Sequence, residues 1–529
     1  MDSSRVESAA YGPDAFILRF AERADEAAFQ RARQLVAELE RCPLPGQTEV
    51  VPAFTTLLIR FGAGAASAGS EAGIAAFLGR IRETGLPVVH ERDRLVEIPA
   101  RYDGPDLVRV ADSAGITVEE AVARHIAPDY RVHCLGFAPG FPYLGGLDPS
   151  LATPRLATPR TSVPAGSIAI GGEHTGIYST PSPGGWNLIG RTDAPLFDPL
   201  ADRLAAMFLL RTGDRVRFVP APDGAVPARE VRRRGRSGSA LSADGSPPVL
   251  RVIASGAGLA IQDLGRPGFA RFGVPPGGAM DPHAAAWANR LLDNPPSAPV
   301  LELCLQGQRL EVLRDGWFAV AGSAGGTAGG SAHRRRAGEV LESPPGPGGV
   351  WSYLAVPGGF AGSTVLGSVA TDVRAGIGRA FVAGDRIPAS TSTGSAPSSA
   401  VASRRVAWDE RCDHAHPPAL RVWPGPQWPA FSSADRERFF ATGWTVSPRC
   451  DRVGYRLDGP ALVPPSSEAV SEPVVVGTVQ VPADGRPIVT MPDGPTLGGY
   501  AKLGVVDRDD LARLAQCRAG QVVRVVPAR

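Results

Sequence analysis

Residues 133–146 read His-Cys-Leu-Gly-Phe-Ala-Pro-Gly-Phe-Pro-Tyr-Leu-Gly-Gly, the densest run of special residues in the chain. Proline and glycine recur too often here for a long strand or a helix. Such a run predicts a fixed loop, either shaped around a ligand or packed as a rigid core turn. Phe137 and Tyr143 are its candidate ligand contacts. From residue 131 onward, glycine and proline separate short apolar runs, which predicts a β-barrel or β-sandwich.

A second segment with binding chemistry follows at residues 174–191, His-Thr-Gly-Ile-Tyr-Ser-Thr-Pro-Ser-Pro-Gly-Gly-Trp-Asn-Leu-Ile-Gly-Arg. Its hydroxyls, carboxamide and arginine suit a carboxylate or phosphate, since glycine exposes backbone N–H groups and arginine makes two-pronged contacts. The candidate binding residues are Arg160, Tyr178, Trp186, Asn187 and Arg191. Residues 151–155, Leu-Ala-Thr-Pro-Arg, recur at 156–160, which is too short for a structural repeat.

The first hundred residues predict a small α+β domain over 1–105. Helical spacing of apolar residues predicts helices over 22–41 and 72–82, and strands are expected over 50–61, near 88–90 and over 95–98. Short helices over 106–114 and 117–125 open the next predicted domain, 106–222. Thr117 and Glu120 have the spacing of a capping box at the second of these helices.

The second half is predicted to start after a linker at 223–248 and to run from 249 to 529. Short strands dominate it, with a single clear helix over 282–292, and loops are expected at 322–330 and 389–403. The runs Gln-Asp-Leu-Gly-Arg-Pro-Gly (262–268) and Gly-Val-Pro-Pro-Gly-Gly-Ala-Met-Asp (273–281) supply further candidates, Gln262, Asp263, Arg266 and Gly278. Asp281 is either functional or the N-cap of the helix that follows.

Lys502 is the only lysine among the 55 lysine and arginine residues. Lysine can lose its proton or point at a single oxygen, which arginine cannot, so the position is a candidate site or a chance survivor. Its context, Tyr-Ala-Lys-Leu, excludes a Walker A loop and does not resemble a biotin attachment site. Glu472, Gln480 and Tyr500 are candidate binding residues around it, although a carboxylate near a lysine can be an ion pair alone.

Composition narrows the class of protein. The 529 residues include 63 glycines and 51 prolines, which points to many turns and short strands. A net charge of +2 gives no attraction toward nucleic acid or acidic membranes. The six cysteines are scattered and no signal sequence is evident, so free thiols and a cytoplasmic location are expected. Cys412, His414 and His416 lack a second ligand cluster, and no metal site is predicted.

The chain resembles a known family over nearly its whole length. Residues 131–192, with GFAPGFPYLGGLDP, ATPR, VPAGS, TGIY and SPGGW, resemble the allophanate-hydrolase-subunit-1-like domain. Residues 250–312, with QDLGRPG and GVPPGGAMD, and GGYAKLG at 498–504 resemble the subunit-2-like domain. The resemblance implies a fusion of two usually separate subunits. It also implies an α+β, mostly β fold, in which a small N-terminal α/β sandwich-like domain precedes cyclophilin-like β-barrel domains in both halves.

Three functions are found among the members of that family. One is the ATP-dependent 5-oxoprolinase, in which a B and a C component act with a third subunit to open 5-oxo-L-proline to L-glutamate. Another is the biotin-dependent carboxyltransferase part of urea amidolyase, and the third is a sporulation-kinase regulatory binding pair. Because the chain has no biotin carboxylase, biotin carrier or amidase, the 5-oxoprolinase function is favoured.

This resemblance implies ATP, with Mg²⁺, as cofactor and a lactam or amide as substrate. A homo-oligomer is possible. Arg160, Arg191, Arg266 and Lys502 are the candidates for charge at the phosphoryl group, His133 or His174 for proton transfer, and Asp281 as a further catalytic residue. His174 stands where the family pattern has glutamine, which bears on proton chemistry or ligand preference.

Overall fold

The computed structural model describes residues 6–62, 68–89, 94–221, 246–323, 330–343, 348–390, 404–407, 416–465 and 470–528. These segments contain 31 strands and 8 helices, which confirms the prediction of a mostly β, α+β protein. Most of the predicted linker, parts of the loops predicted at 322–330 and 389–403, and Cys412 and His414 lie outside the described residues. None of the helices in these segments is both long and apolar enough to cross a membrane.

The N-terminal unit is an antiparallel sheet with two helices packed on it. In sheet order β1-β2-β4-β3, the strands are β1 Glu7–Ala10, β2 Ala15–Arg19, β4 Thr56–Phe61 and β3 Gln47–Pro52. The helices are α1 Glu26–Arg41, capped by Asp25, and α2 Ala68–Thr84. Both helices were predicted. The single strand predicted over 50–61 is wrong, because the amide of Ala53 donates to the carbonyl of Thr56 at 2.8 Å and turns the chain into a hairpin.

The rest of the first half is a seven-stranded sheet in the order β12-β9-β10-β7-β6-β13-β5. In chain order its strands are β5 Leu95–Ala100, β6 Tyr130–Leu135, β7 Pro142–Gly145, β9 Ser167–Gly171, β10 His174–Ile177, β12 Asn187–Arg191 and β13 Arg215–Pro220. Strand β5 precedes the boundary predicted at 105, yet it pairs in parallel with β13. Arg101 and Arg191 exchange backbone hydrogen bonds of 2.9 and 2.8 Å, which links the two edges of the sheet.

Shorter elements complete the first half. They are the ribbon β8 Arg160–Val163 with β11 Ser182–Gly184, and the helices α3 Leu107–Ala114, α4 Val118–Ile126 and α5 Leu204–Met207. The predicted capping box at α4 is half formed. Thr117 Oγ1 accepts from the amide of Glu120 at 3.2 Å, but the Glu120 carboxylate pairs with Arg124 instead of returning to the cap. No strand forms at residues 88 and 89, the described part of the stretch predicted there.

The second half starts with two sheets that share one apolar core. The first has the order β20-β17-β14-β22 and the second the order β15-β16-β21-β18-β19. In chain order the strands are β14 Pro248–Ser255, β15 Gly258–Gln262, β16 Val300–Cys304, β17 Gln308–Val312, β18 Gly316–Gly322, β19 Gly330–Arg335, β20 Val340–Glu342, β21 Trp351–Ala355 and β22 Arg386–Pro388. The predicted helix at 282–292 is α6 Pro282–Arg290.

A closed barrel follows, in the order β23-β30-β27-β28-β25-β24-β31. Its strands are β23 Ala419–Pro424, β24 Gly443–Val446, β25 Gly454–Asp458, β27 Thr478–Val481, β28 Ile488–Thr490, β30 Ala501–Val506 and β31 Val522–Pro527, and a ribbon pairs β26 Glu472–Pro473 with β29 Leu497–Gly498. The prediction of one helix in this half is wrong, since α7 Ser433–Ala441 and α8 Arg508–Ala515 are also present. Both are short and carry charged residues at several positions, which weakens an apolar helical pattern.

The two halves are docked through the glycine-rich loops that the sequence singles out. Residues Leu135 and Phe272 form a parallel β-bridge, and the amide of Gly140 donates to the carbonyl of Phe272 at 2.8 Å. A Cβ on Gly273 would lie 2.2 Å from the carbonyl oxygen of Ala138, so only glycine permits this approach. The loop at 136–141 therefore serves as an interface between the halves.

Candidate functional site

Trp186 is in contact with several predicted binding residues of the first half. The guanidinium of Arg155 lies over its ring, 5.7 Å from the centroid, and Arg160 Nη1 donates to its carbonyl at 3.5 Å. The Tyr178 hydroxyl hydrogen-bonds its backbone and fits only because residue 184 is glycine, whose added Cβ would lie 2.1 Å away. Arg155, Arg160, Tyr178 and Trp186 are called the Trp186 cluster below.

The two arginines of this cluster differ in how they are held. Arg160 Nη2 donates to Asp106 Oδ1 at 2.7 Å, while Asp106 Oδ2 accepts from the amide of Leu188, so this arginine is fixed to the sheet. Arg155 is exposed above the indole ring. An exposed arginine beside a fixed one gives a positively charged surface that suits an anion.

Several polar oxygens next to the Trp186 cluster have no partner within the described residues. The Ser179, Thr180 and Ser182 hydroxyls and Asn187 Oδ1 are buried without a hydrogen bond, although Asn187 Nδ2 donates to Ile170 and Pro154. Leaving a buried polar group unpaired costs about 1–3 kcal/mol. Polar atoms of a bound ligand would remove that cost, which favours a ligand site here.

A chain of aromatic contacts joins this cluster to the two predicted histidines. Trp186 meets Tyr143 at 5.8 Å between ring centroids, and Tyr143 meets Phe54 at 5.3 Å. Phe54 lies 4.4 Å from His174 and 5.9 Å from His133. The structure thus brings together Tyr143, Trp186, His133 and His174, which lie up to 53 positions apart in the sequence.

Both histidines are neutral at pH 7. Burial, followed by electrostatic interaction with His133 and Arg155, lowers the pKa of His174 to about 4. Burial is also the main cause that lowers the pKa of His133, whose ring stacks on Phe29 at 5.3 Å. A neutral imidazole can accept a hydrogen bond or a proton, and half-buried His174 is more accessible than buried His133.

Phe137 connects the first half's aromatic residues to the second half. Its backbone is left-handed, with φ of +66°, a conformation that costs a bulky residue free energy. The ring lies 6.1 Å from that of Tyr178, and the guanidinium of Arg374 lies over it at 5.8 Å. Its neighbour Phe141 contacts Trp186 at 5.6 Å. The predicted ligand loop is therefore a buried junction of both halves.

Lys502 lies on strand β30 of the second-half barrel, with 1% of its side chain exposed. Its ammonium donates to Glu472 Oε2 at 3.3 Å and to the carbonyls of Gly498 and Tyr500 at 3.2 and 3.3 Å. These three acceptors use all three N–H groups. The structure supports the ion-pair alternative, because no donor remains for a phosphoryl group.

Glu472 links the buried Lys502–Glu472 ion pair to the first half of the chain. Burial alone would raise the pKa of its carboxyl, but Lys502 and Arg19 outweigh that effect and hold the pKa below its usual value. Arg19 Nη2 donates to Glu472 Oε1 at 2.6 Å from strand β2, and Gln427 donates to Oε2 at 2.5 Å. Burial lowers the pKa of Lys502, opposed by the charge of Glu472. The adjacent Ser471 hydrogen-bonds the Tyr143 hydroxyl.

The remaining C-terminal candidates occupy different positions around Lys502. Gln480 lies opposite it in the β27–β30 pair and donates to Thr490 Oγ1 at 2.9 Å. Tyr500 offers its carbonyl to Lys502, while 48% of the residue is exposed.

The candidate residues in the two second-half motifs form hydrogen bonds to other parts of the protein. Gln262 donates to the carbonyl of Thr371 at 2.9 Å, and Asp263 accepts from Gly265, Ser368 and Val369. Arg266 donates to the carbonyls of Val365 and Ala370 and has 2% of its surface exposed. Its Nη1 has no partner among the described residues. Gly278 offers its carbonyl to Arg452 at 2.7 Å.

Asp281 is the N-cap of α6. Its Oδ1 accepts from the amide of Ala284 at 2.9 Å and its Oδ2 from Gln516 Nε2 at 2.7 Å. The residue is 2% exposed, so these hydrogen bonds leave its carboxylate no access to a substrate. Of the two alternatives for Asp281, they support the helix cap and not catalysis.

Arg191 lies apart from the Trp186 cluster. Its guanidinium pairs with Asp103 at 2.8 Å, and both side chains are 41% exposed. Among the described residues, no group of three or more His, Cys, Asp and Glu side chains is placed to bind a metal ion.

A charged network that joins the two-sheet part of the second half to its closed barrel was not predicted from the sequence. Arg452 donates to Glu302 Oε1 at 2.5 Å and to Asp493 Oδ2 at 2.7 Å. Nearby, burial and then the charge of Asp493 raise the pKa of Asp372 to about 7. These residues are scattered along the sequence, so no motif or spacing could have shown that they meet.

Arg155 was also missed, although the sequence carried a signal for it. Arg155 and Arg160 are the same position of the repeated pentapeptide Leu-Ala-Thr-Pro-Arg, and both arginines reach Trp186. The repeat is not a structural unit, but it places two arginines five residues apart at one tryptophan.

The sequence matches two family descriptions that together span most of the chain. "Carboxyltransferase domain, subdomain C and D" matches residues 6–207, and "Carboxyltransferase domain, subdomain A and B" matches residues 272–527. The C component of Escherichia coli 5-oxoprolinase is 34% identical over 290 residues, which cover 53% of this chain and 91% of that relative. The chain belongs to the carboxyltransferase-domain family.

Two further comparisons differ in how much of the chain they cover. The B component of Bacillus subtilis 5-oxoprolinase is 38% identical over 218 residues, covering 39% of this chain and 90% of that relative. The protein in the crystal structure of TTHA0988 is 36% identical in sequence to this chain, and the two structures superpose with a TM-score of 0.82. The match covers 97% of this chain and 99% of the TTHA0988 chain. The family member with this structure thus carries both halves in one chain, as this protein does.

Proposed function

We propose that this chain is a fused B and C component of an ATP-dependent 5-oxoprolinase, which opens 5-oxo-L-proline to L-glutamate together with a third subunit. The first half is similar to the B component and the second half to the C component of that enzyme. The docking of the two halves through their glycine-rich loops is the observation that carries the proposal. A fusion that kept the halves apart would not need Gly273 to approach Ala138 so closely.

The reaction determines what the site must provide. A lactam carbonyl resists attack by water because its nitrogen donates electrons into the C=O bond. Phosphorylation of the carbonyl oxygen by ATP would make the carbonyl carbon electrophilic enough for water to add. The C–N bond would then break, with a proton taken up by the nitrogen, and a second water would release phosphate from the resulting acyl phosphate to leave the carboxylate. The protein's tasks are to hold an anionic substrate, stabilise developing charge and move a proton.

The Trp186 cluster has groups for the first two tasks. In the proposed arrangement, Arg155 and Arg160 hold a carboxylate or phosphoryl oxygen, and the unpartnered hydroxyls of Thr180 and Ser182 complete the polar contacts. Residue Thr180 is 7% exposed and Ser182 is 4% exposed, so a ligand there would be largely shielded from water.

His174 is the proposed proton acceptor. It is half-buried, neutral at pH 7 and sits in the electrostatic field of Arg155. A pKa of about 4 makes it a weak base, suited to accept a proton from a strongly activated group. In the proposal Lys502 supports the site indirectly by fixing Glu472, which neighbours the Ser471 contact to Tyr143.

The test is ATP-dependent release of glutamate from 5-oxoproline by the full chain mixed with the third subunit. Arg155→Gln should lower kcat/KM about 10- to 100-fold, since a hydrogen bond to a charged group is worth about 1.5–3 kcal/mol. Arg191→Gln is the matched control, because its guanidinium pairs with Asp103 away from Trp186. Absence of ATP-dependent turnover by the unmodified chain with the third subunit would reject the proposal.

Carboxyl transfer is the alternative function, favoured by the carboxyltransferase family to which both halves belong. In that case a biotinylated partner protein should stimulate substrate carboxylation by the chain. The same Arg155→Gln and Arg191→Gln pair would then be compared in the carboxylation assay.

A further inference from the structure

The second-half motif at 262–268 holds one loop segment, residues 365–371, in place. Each of its three polar side chains forms a hydrogen bond to that segment. The hydrogen bonds join Gln262 to Thr371, Asp263 to Ser368 and Val369, and Arg266 to Val365 and Ala370. The motif therefore fixes the position of whatever the chain carries directly after residue 371.

The next residues form a tight turn that carries Arg374. Asp372 and Ile377 exchange backbone hydrogen bonds of 2.8 and 2.9 Å, which close the turn at its base. The Asp372 carboxylate accepts from the amide of Ala375 at 2.9 Å, which fixes the turn from within. The turn places the guanidinium of Arg374 over the ring of Phe137, 5.8 Å from the centroid. A residue of the second half thus reaches the first half at this point.

The hydrogen-bonding groups of Arg374 are unused within the described residues. Its half-buried guanidinium forms no hydrogen bond or ion pair there, and contact with a ring leaves its N–H groups free. Burial lowers its pKa, opposed by the charges of Asp372, Asp451 and Asp493. Each of these three carboxylates accepts hydrogen bonds from other groups. A half-buried guanidinium without an acceptor suits an anionic oxygen.

The position of Arg374 is next to the Trp186 cluster. Phe137 lies between Arg374 and Tyr178, with 6.1 Å between the centroids of the two rings. Its left-handed backbone, with φ of +66°, is the kind of strain that is retained at functional sites. The proposed reaction brings two anionic substrates together, the lactam carboxylate and ATP. Arg155 and Arg160 at Trp186 serve one anionic group, so a second basic contact is required.

We propose that Arg374 is an anion-binding residue that the second half supplies to the site of the first half. It binds a carboxylate or phosphoryl oxygen beside Tyr178. The inference rests on the proposed function, because it takes the lactam carboxylate and the ATP phosphates as the two sources of that oxygen. Gln262, Asp263 and Arg266 are positioning residues that act through the segment before the turn.

The experiment measures glutamate release by the full chain with the third subunit, while 5-oxoproline and ATP are varied in separate series. Arg374→Met keeps a long side chain over Phe137 but has no N–H group. It should raise the KM of one substrate about 10- to 100-fold, since a charge-assisted hydrogen bond is lost. A higher KM for 5-oxoproline identifies the carboxylate as the bound group, and a higher KM for ATP identifies a phosphoryl group.

Two further variants separate anion binding from other effects. Arg374→Lys keeps the charge but not the paired N–H groups, so it should recover part of the loss. Arg334→Met removes the same charge from an exposed residue of β19 and should leave both KM values unchanged. Urea unfolding of every variant measures any effect on stability.

Unchanged KM values for both substrates in a stable Arg374→Met variant would overturn the proposal, and the turnover of the unmodified chain would leave the proposed function intact. If Arg374→Met is destabilised, Arg374→Lys decides. A raised KM at unchanged stability supports anion binding, whereas KM values equal to those of the unmodified chain reduce Arg374 to a packing contact with Phe137. If the unmodified chain shows no ATP-dependent turnover, the proposed function fails and this inference fails with it.

Discussion

The ammonium of Lys502 is surrounded by one carboxylate and two carbonyls in the interior of the protein. Lys502→Met would leave Glu472 buried with only Arg19 as a charged partner, and Arg19 is 44% exposed. We expect the free energy of unfolding to fall by about 3–5 kcal/mol in the single variant. Urea unfolding measures this loss.

The matched double variant Lys502→Met with Glu472→Gln removes both charges, so it should recover most of that stability. If the single and double variants are equally unstable, the packing of the lysine stem and not the ion pair supplies the stability.

A second prediction concerns Asp281, for which capping and catalysis give opposite outcomes. Asparagine is also a good N-cap, and its side-chain oxygen can accept the amide of Ala284 in the same way. Asp281→Asn should therefore keep kcat within about twofold in the glutamate-release assay. A loss of 100-fold or more in a variant with unchanged Tm would restore a catalytic role for the carboxylate.

Stability should depend on pH through His125. Burial lowers its pKa to about 3 in the folded protein, whereas an unfolded histidine has a pKa of about 6.5. Above pH 6.5 neither state binds the proton. As the pH falls from 6.5 toward 3, only the unfolded state takes it up, so stability falls by up to about 1.4 kcal/mol per pH unit. Comparing urea unfolding of the protein and His125→Gln at pH 7.5, 6 and 5 tests this, since the variant should show the shallower slope.

Candidate site residues could be singled out from the sequence where all the side chains in a contact come from one short segment. The binding role of Tyr178, Trp186 and Arg160 stays a prediction. These residues were singled out because glycine, hydroxyl and arginine residues recur within 32 positions. Phe54 and Arg19 were not, because each reaches its partner from a different domain. No local pattern records such a contact.

At the level of single elements, glycine at one position sets the spacing between the halves. Gly273 has φ of +79°, and a Cβ there would lie 2.2 Å from the carbonyl of Ala138. Gly273→Ala should weaken the docking of the halves, seen as faster proteolysis of the loop at 136–141. Gly268→Ala is the control, since it has φ of +95° but no neighbouring atom within 4 Å. Equal proteolysis of the two variants would mean that backbone strain, not the contact, is responsible.

Helix predictions succeeded where an apolar stripe and a cap occurred together. The helix α1 has buried Ala28, Ala32, Leu35 and Leu39 and begins after Asp25. α7 and α8 were missed because charged residues interrupt their apolar pattern and their buried faces include Asp435 and Asp510. A buried aspartate is read as polar in a sequence even when a hydrogen bond satisfies it in the fold.

For the whole molecule, we expect the two halves to stay together without their covalent connection. A protease site introduced into the 223–245 region and cleaved in the full chain should leave both fragments in one peak on size exclusion. The interface includes the Arg19–Glu472 pair and the Tyr11 hydroxyl, which donates to the carbonyl of Pro473 at 3.3 Å. Separate elution at low salt would show that the connection, and not the interface, holds the halves together.

The fold class was predictable at this scale because glycine and proline separate short apolar runs from residue 131 onward in both halves. The arrangement of the halves was not, since it depends on contacts such as Leu135 with Phe272 that join distant parts of the chain. The family resemblance supplied the expectation of barrels, and the physical reason for the docking emerged only from the structure.

In both barrel-like sheets an early strand pairs in parallel with a late one, β5 with β13 and β23 with β31. During translation the partner of β5 emerges from the ribosome more than a hundred residues later, and the same holds for β23. Neither sheet can be completed until that late strand is available. Newly made chains must therefore spend a period with open strand edges, in which nascent-chain chaperones have the opportunity to protect them.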